Sequence, residues 1–175
     1  MLTVTMNDRA ATLLRASAGF DRLDPPGGLA EGLRAWADRG IARRGEVIGW
    51  APVPATADHA PGDFVDLTGW ECAHTYLHLE DFVPDDIIAR DGSSLTVATQ
   101  RELLRHGIAL TRELAALAAT PTPPIALRCI ISANETNGTF RFHEIRPGES
   151  WHTPDLDNYD SDAVVVIDFT ASQPK

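Results

Sequence analysis

The chain has a single lysine, Lys175, among 175 residues, and only two cysteines, Cys72 and Cys129. No second cysteine lies near either, which excludes a zinc knuckle or a redox pair. Two reduced thiols, buried or half-buried in separate strands of a cytoplasmic protein, are the expectation. No apolar run approaches the roughly 20 residues that cross a bilayer. Met1 to Arg15 carries Thr3, Thr5, Asn7 and Asp8 where a secretory signal has an apolar stretch. Neither a membrane span nor export by that route is expected. A Gly-x-Ser-x-Gly elbow is missing, and Gly27-Gly28 follows prolines rather than a strand. An exposed serine nucleophile and a phosphate-cradling glycine loop therefore have no carrier.

Basic residues are missing from two long stretches. Glu46 to Ala89 contains nine acids and no Lys or Arg, and Pro147 to Pro174 contains six acids and again no base. The formal net charge of -10 is thus a balance of -15 in these stretches and +5 elsewhere. Such a one-signed surface attracts cations and basic proteins and repels nucleic acid and anionic lipid. A phosphate backbone needs aligned Lys and Arg, so nucleic acid is excluded as a partner.

What is present describes a globular chain. A hydrophobic content of 43% and a charged content of 23% fit one domain over residues 1–175, large enough to bury a core without staples. Residues 1–45 read as a helical part. Asn7 or Asp8 caps a segment with Ala10, Leu13, Leu14 and Ala18; after Asp24-Pro25-Pro26-Gly27-Gly28, the residues Leu29, Leu33, Trp36 and Ala37 recur at helical spacing up to Gly40. Residues 46–175 read as sheet plus one long helix. Glu46 to Val53, Phe64 to Thr68 and Glu71 to Phe82 are predicted strands, and Asp91-Gly92 a turn. Thr99 and Glu102 form a capping box for a helix from Gln100 to Ala119, whose apolar stripe ends before Pro121. Asn137-Gly138 predicts a hairpin between Ile125 to Ser132 and Thr139 to Arg146. Ala163 to Ile167 is apolar on both faces, which places it centrally in the sheet. The fold class is α+β, a mainly antiparallel sheet with the N-terminal helices and the long helix packed on one side.

Two groups of residues could carry function. The first is histidine and carboxylate: His74, Tyr76, His78, Glu80, His143 and Glu144, lining a pocket between sheet and N-terminal helices, with an imidazole as acid or base near neutral pH. On one strand His74 and His78 would stand about 13 Å apart, too far to share a metal ligated at about 2.0–2.1 Å. Metal binding would therefore need His143 or His152 from a neighbouring strand. With Pro147-Gly148 ahead of His152, the set resembles part of the cupin metal-binding pattern. The interval from His74 to His78, the long helix and the glutamate spacing depart from that pattern, and the chain is not assigned to that family.

The second group is the acidic loop from Pro147 to Asp162. Asp155, Asp157, Asp160 and Asp162 offer the oxygen ligands calcium takes, yet the sharp-turn glycine and terminal glutamate of an EF-hand are missing. Trp151 and Tyr159 inside the acids give instead the composition of a docking surface, with rings as anchors and carboxylates as steering charges. The expected contacts are Asp81, Asp85, Asp86, Glu149, Trp151, Asp155, Asp157, Tyr159 and Asp160. In size, acidity, α+β pattern and lack of a catalytic motif the chain resembles, as a class, the immunity proteins that neutralise bacterial toxin domains. The resemblance implies a cytoplasmic, non-enzymatic protein that binds a basic protein partner and holds no cofactor or metal.

Overall fold

A computed structural model describes residues 1–14 and 23–170. Five strands form one antiparallel sheet in the order β1 (Leu2–Met6), β9 (Ala163–Phe169), β7 (Leu127–Ala133), β8 (Gly138–Glu144) and β4 (Leu77–His78). The hairpin β7–β8 forms where Asn137-Gly138 predicts it, with Ala133 opposite Gly138 and Leu127 opposite Glu144. β9 pairs with β1 on one side and β7 on the other, and Ala163 to Ile167 is buried throughout. Strand alternation explains that burial. Val165 and Ile167 join the main core, while Val164 and Val166 pack with Ile130 under Leu156 and Tyr159 of the acidic loop.

The helices lie against the face that carries Phe140 and Phe142. α4 (Val97–Ala118) lays Leu103, Ile108 and Leu114 on Cys129, Ile131 and the two phenylalanines. α2 (Glu31–Arg39) packs on α4 through Leu33 and Ala37 and ends at Gly40, whose φ of 80° is left-handed backbone that glycine accepts without strain. α1 (Asp8–Leu14) contacts β9 and α4. Ala18, assigned to this helix from sequence, lies outside the described residues. Among the described residues no helix is long and apolar enough to cross a membrane.

Several elements differ from expectation. Phe64 to Thr68 is not a strand, and Glu71 to Phe82 is not one long strand. Leu67–His74 forms a helix, α3, followed by the two-residue strand β4 and a 3-10 turn at Leu79–Asp81. Asp66 starts α3 by accepting the Gly69 N–H at 2.7 Å. Thr68 to Cys72 are buried one after another, so the helix has no apolar stripe, and its period was masked by chance alternation downstream. Cys72 therefore sits on a helix. It and Cys129 are free and buried, and burial pushes both thiols up to about 12, which keeps them protonated and inert.

Residues 1–45 are not wholly helical, since β1 belongs to the main sheet and β2 (Ile41–Arg44) forms a ribbon with β3 (Val47–Trp50). A second small ribbon joins β5 (Arg90–Asp91) to β6 (Ser94–Leu95) around Gly92. α4 begins earlier than its predicted capping box. Thr96 is the cap, accepting the Thr99 N–H at 3.2 Å, and Glu102 pairs with Arg105 at 2.8 Å. Thr99 is buried instead, its hydroxyl 3.0 Å from the carbonyls of Ile87 and Ala89.

Candidate functional site

Because Phe140 and Phe142 point to the helices, the alternate residues Thr139, Arg141 and His143 of β8 face the other way. Tyr76 and His78, at the sheet edge beyond β8, join them on this outer face. The predicted histidine pocket between sheet and N-terminal helices is therefore not formed, and the set divides. Tyr76, His78 and Glu80 come together: the Glu80 carboxylate lies 3.3 Å from His78 Nδ1, and Tyr76 Oη lies 3.1 Å from His78 Nε2. The carboxylate fixes the ring proton on Nδ1, so Nε2 accepts from the phenol. Glu80 also accepts the Gly138 N–H at 2.9 Å and so closes the turn of the β7–β8 hairpin. The chain from carboxylate through imidazole to phenol could in principle draw a proton from Tyr76. Burial, however, raises the phenol above its ordinary range, against the pull of Arg141, which is the wrong direction for a nucleophile.

His74 is elsewhere. At the end of α3 it stacks on Trp70, with ring centroids 3.8 Å apart and planes 14° from parallel, and its Nδ1 meets the Trp70 carbonyl at 2.8 Å. Glu144 belongs to a structural network. Its amide donates to Glu71 Oε2 at 2.8 Å, and its carboxylate takes Arg146 at 3.1 Å and Arg43 at 2.5 Å. His143 is buried, with Nδ1–H donating to the Glu144 carbonyl at 2.8 Å. Desolvation lowers it to about 4, and the nearby cations Arg128 and Arg146 act in the same direction. It is a neutral imidazole at physiological pH, unfit as an acid there.

The acidic loop is tied down by its own carboxylates. Glu149 accepts the Thr68 N–H at 2.9 Å, Asp157 the Asp8 N–H at 2.9 Å, and Asp155 the Asp157 N–H at 3.1 Å. Asp162 accepts Asn134 Nδ2 at 2.6 Å. These acids spread over separate partners, and among the described residues no group of three or more His, Cys, Asp or Glu side chains is placed to hold a metal ion. Tyr159 turns its ring to the sheet and its hydroxyl to the Thr153 N–H at 3.3 Å. Asp160 is exposed and makes no hydrogen bond or ion pair among the described residues. Asp81, Asp85 and Asp86 are exposed too, but Asp85 and Asp86 sit on the 3-10 turn Asp85–Ile87 ahead of α4, and among the described residues no hydrogen bond or ion pair joins their side chains to the loop.

Three residues at this face were not legible as functional. Arg141 has no carboxylate partner among the described residues, whereas Arg128 on the same face is gripped by Asp168 at 2.6 and 2.7 Å. The Arg141 guanidinium lies instead over two rings, 4.6 Å from Tyr76 and 5.0 Å from Trp151. Trp151 is so positioned, yet remains 42% exposed. The bond from Thr68 to Glu149 ties the acidic loop to the segment that carries a second exposed pair, Phe64 at 37% and Val65 at 99%. The signal for Arg141 was its period-two alternation with His143; nothing in the sequence marked Val65.

The model of a protein family described as the Uncharacterized protein PM0498 family matches residues 27–174. The chain belongs to this family. No curated protein and no solved structure matches the chain. The family match runs from the turn ahead of α2 to beyond β9, so α3, β8, the acidic loop and the outer face all lie inside it.

Proposed function

We propose that this member of the PM0498 family is a binding protein that docks a basic protein partner on the side of the molecule formed by residues 63–66 and the acidic loop, in the manner of a toxin-immunity protein. The observation that carries the reading is the Thr68–Glu149 hydrogen bond, which ties the segment that exposes Phe64 and Val65 to the loop that exposes Trp151. Exposed rings held in place, Trp151 by Arg141 and Phe64 against His74 at 5.9 Å, lose little freedom when a partner covers them. Asp63 and Asp160 are exposed acids without an ion pair among the described residues and are available for steering, and the net charge of -10 supplies the long-range attraction. The contact set thus centres on Trp151, Glu149 and Asp160, with Phe64 and Val65 added. Asp155 and Asp157 serve the loop first, and Asp85 and Asp86 belong to a different surface.

The test begins with capture of partners from the native host by the wild-type chain and by the variant Val65→Glu/Trp151→Ala. A basic protein kept by the first and lost by the second is then studied kinetically. Trp151→Ala is expected to speed dissociation, since a buried aromatic anchor holds the formed complex. Asp63→Lys/Asp160→Lys is expected to slow association and flatten its salt dependence. Retention of the same proteins by both baits defeats the proposal. The contact from Glu80 through His78 to Tyr76 favours a second reading, a small-molecule enzyme at the sheet edge. That reading requires a turnover lost in His78→Ala with the fold intact.

A further inference from the structure

β1 is an edge of the main sheet, since only β9 pairs with it. The register is unbroken from Leu2 opposite Phe169 to Met6 opposite Val165. Just beyond its two ends, the Thr170 N–H donates to the Met1 carbonyl at 3.0 Å and the Asn7 N–H to the Val164 carbonyl at 3.1 Å. Hydrogen-bonded pairs recur at every second residue of an antiparallel ladder, so Thr3 and Thr5 turn their backbone groups to β9 as well. The N–H and C=O groups of Leu2, Val4 and Met6 therefore point away from the sheet, and none has a hydrogen-bond partner among the described residues.

Proteins ordinarily blunt such an edge with charge, proline, a bulge or a covering element. Leu2–Met6 has neither charge nor proline nor bulge, and Leu2, Thr3 and Thr5 are exposed. In a chain of net charge -10, this uncharged edge is where two copies meet with little repulsion. Its sequence also complements itself. When two β1 strands run antiparallel about a two-fold axis at Val4, Val4 faces its own copy and Leu2 faces Met6. Every outward N–H then meets an outward C=O of the other copy, and any other antiparallel register leaves some of them unpaired. On the helical face Val4 and Met6 are the half-buried margin of the main core, beside Leu2 at 37% exposure. A folded second copy brings the same margin to the axis and covers all three, whereas an isolated peptide strand has no core behind it to do so. On the outer face Thr3 stands opposite Thr5 in a non-hydrogen-bonded pair, the arrangement in which side chains approach most closely.

We propose that β1 is a dimerisation edge: two copies of this chain join β1 to β1, antiparallel about a two-fold axis at Val4, and merge their five-stranded sheets into one. The symmetry closes the assembly at two, because each copy has only one such edge to use. β4 forms the opposite edge of the sheet, and no residue of the docking surface belongs to the dimer contact.

Sedimentation equilibrium of the full chain tests this, and the wild type is expected to be dimeric at about 10 µM and above. Thr3→Lys/Thr5→Lys sets two like-charge pairs across the axis and is expected to weaken the dimer at least about tenfold. Thr3→Lys/Thr5→Glu introduces as many charged side chains but sets lysine opposite glutamate, and is expected to stay dimeric. Both positions are exposed, and a melting curve checks that each variant folds. Amide hydrogen exchange locates the contact in the wild type without any substitution: Leu2, Val4 and Met6 are expected to be protected at dimer concentrations and to exchange freely on dilution. A wild-type monomer, including one whose edge is covered only when another protein is added, overturns the proposal. Assemblies larger than two, a dimer whose Leu2, Val4 and Met6 amides exchange freely, or equal weakening by the two variants overturn it as well.

Discussion

Arg146 grips Glu71 with both terminal nitrogens, Nη1 on Oε2 at 2.8 Å and Nη2 on Oε1 at 2.7 Å, and Glu71 is wholly buried. The same carboxylate accepts the Ile48 N–H of β3 at 2.7 Å and the Glu144 N–H of β8 at 2.8 Å. One side chain of α3 thus bolts the small ribbon to the main sheet. Burial pushes the Glu71 carboxyl above its ordinary range, against Arg146 and the two amides. Arg146→Ala leaves that charge buried with half of its partners gone, and a loss of about 3–5 kcal/mol is expected. Adding Glu71→Gln to Arg146→Ala should recover part of it, because the uncompensated charge is then absent. Urea denaturation of the three proteins measures this; a single-variant loss below about 1 kcal/mol would mean the carboxylate is not desolvated.

Gly107 lies in the interior of α4, where alanine normally stabilises a helix by about 1 kcal/mol. Here a Cβ would stand 2.5 Å from Ile131 Cγ2 on β7. Gly107→Ala is therefore expected to destabilise, by about 1–3 kcal/mol as for overpacking. The double variant Gly107→Ala/Ile131→Ala should lose less than the two single losses added, since the clash is removed. Additive losses would show that helix and strand do not touch at this point.

Asn7 accepts the Ala10 N–H at 2.9 Å and the Val164 N–H at 3.0 Å, and its amide donates to the Asp162 carbonyl at 2.7 Å. It caps α1 and at the same time fastens the end of the acidic loop. Asn7→Ala removes the cap and strands buried groups, so about 2–4 kcal/mol is expected. Leu114→Ala, in the core under the sheet, should cost about 2–5 kcal/mol. Thr96→Ala loses only the cap of α4, about 1 kcal/mol. Thr96 as the least damaging of the three is the outcome to check by chemical denaturation.

His143 titrates near 4 in the fold against an ordinary 6.5, chiefly through desolvation, with Arg128, Arg146 and His152 adding to the effect and the Glu144 carbonyl opposing it. The unfolded chain therefore binds this proton more tightly than the native state. Stability is complete above about pH 6.5, falls as the pH drops through the window, and levels near pH 4, with about 3 kcal/mol lost across it. His143→Gln should remove that part of the slope when stability is followed from pH 7 to pH 4.5. An unchanged slope would locate the titrating group elsewhere.

By itself the sequence determined the elements whose signals are local. Asn137-Gly138 supplies the turn that pairs β7 with β8, the broad stripe of α4 needs a sheet to cover it, and Gly40 ends α2 where the backbone turns left-handed. A run apolar on both faces had to be flanked on both faces, and β9 is. Leu2, Val4 and Met6 alternate with threonines, a signal that the helical reading of residues 1–45 passes over, and the pairing with β9 makes the segment a strand.

Tertiary structure decided the rest. α3 exists because Asp66 caps it and Glu71 anchors it to residues 23 and 75 positions away, contacts no local period encodes. The candidate sites follow the same division. Spacing put Tyr76, His78 and Glu80 on one strand face, but the 3.3 Å approach of Glu80 to His78 comes from the turn at Leu79–Asp81. Which face His143 takes is set by the inward turn of Phe140 and Phe142. The tie from Thr68 to Glu149, and the seating of His106 beneath Ala30, depend on packing between segments distant in the chain, where burial and hydrogen bonding overrule local pattern.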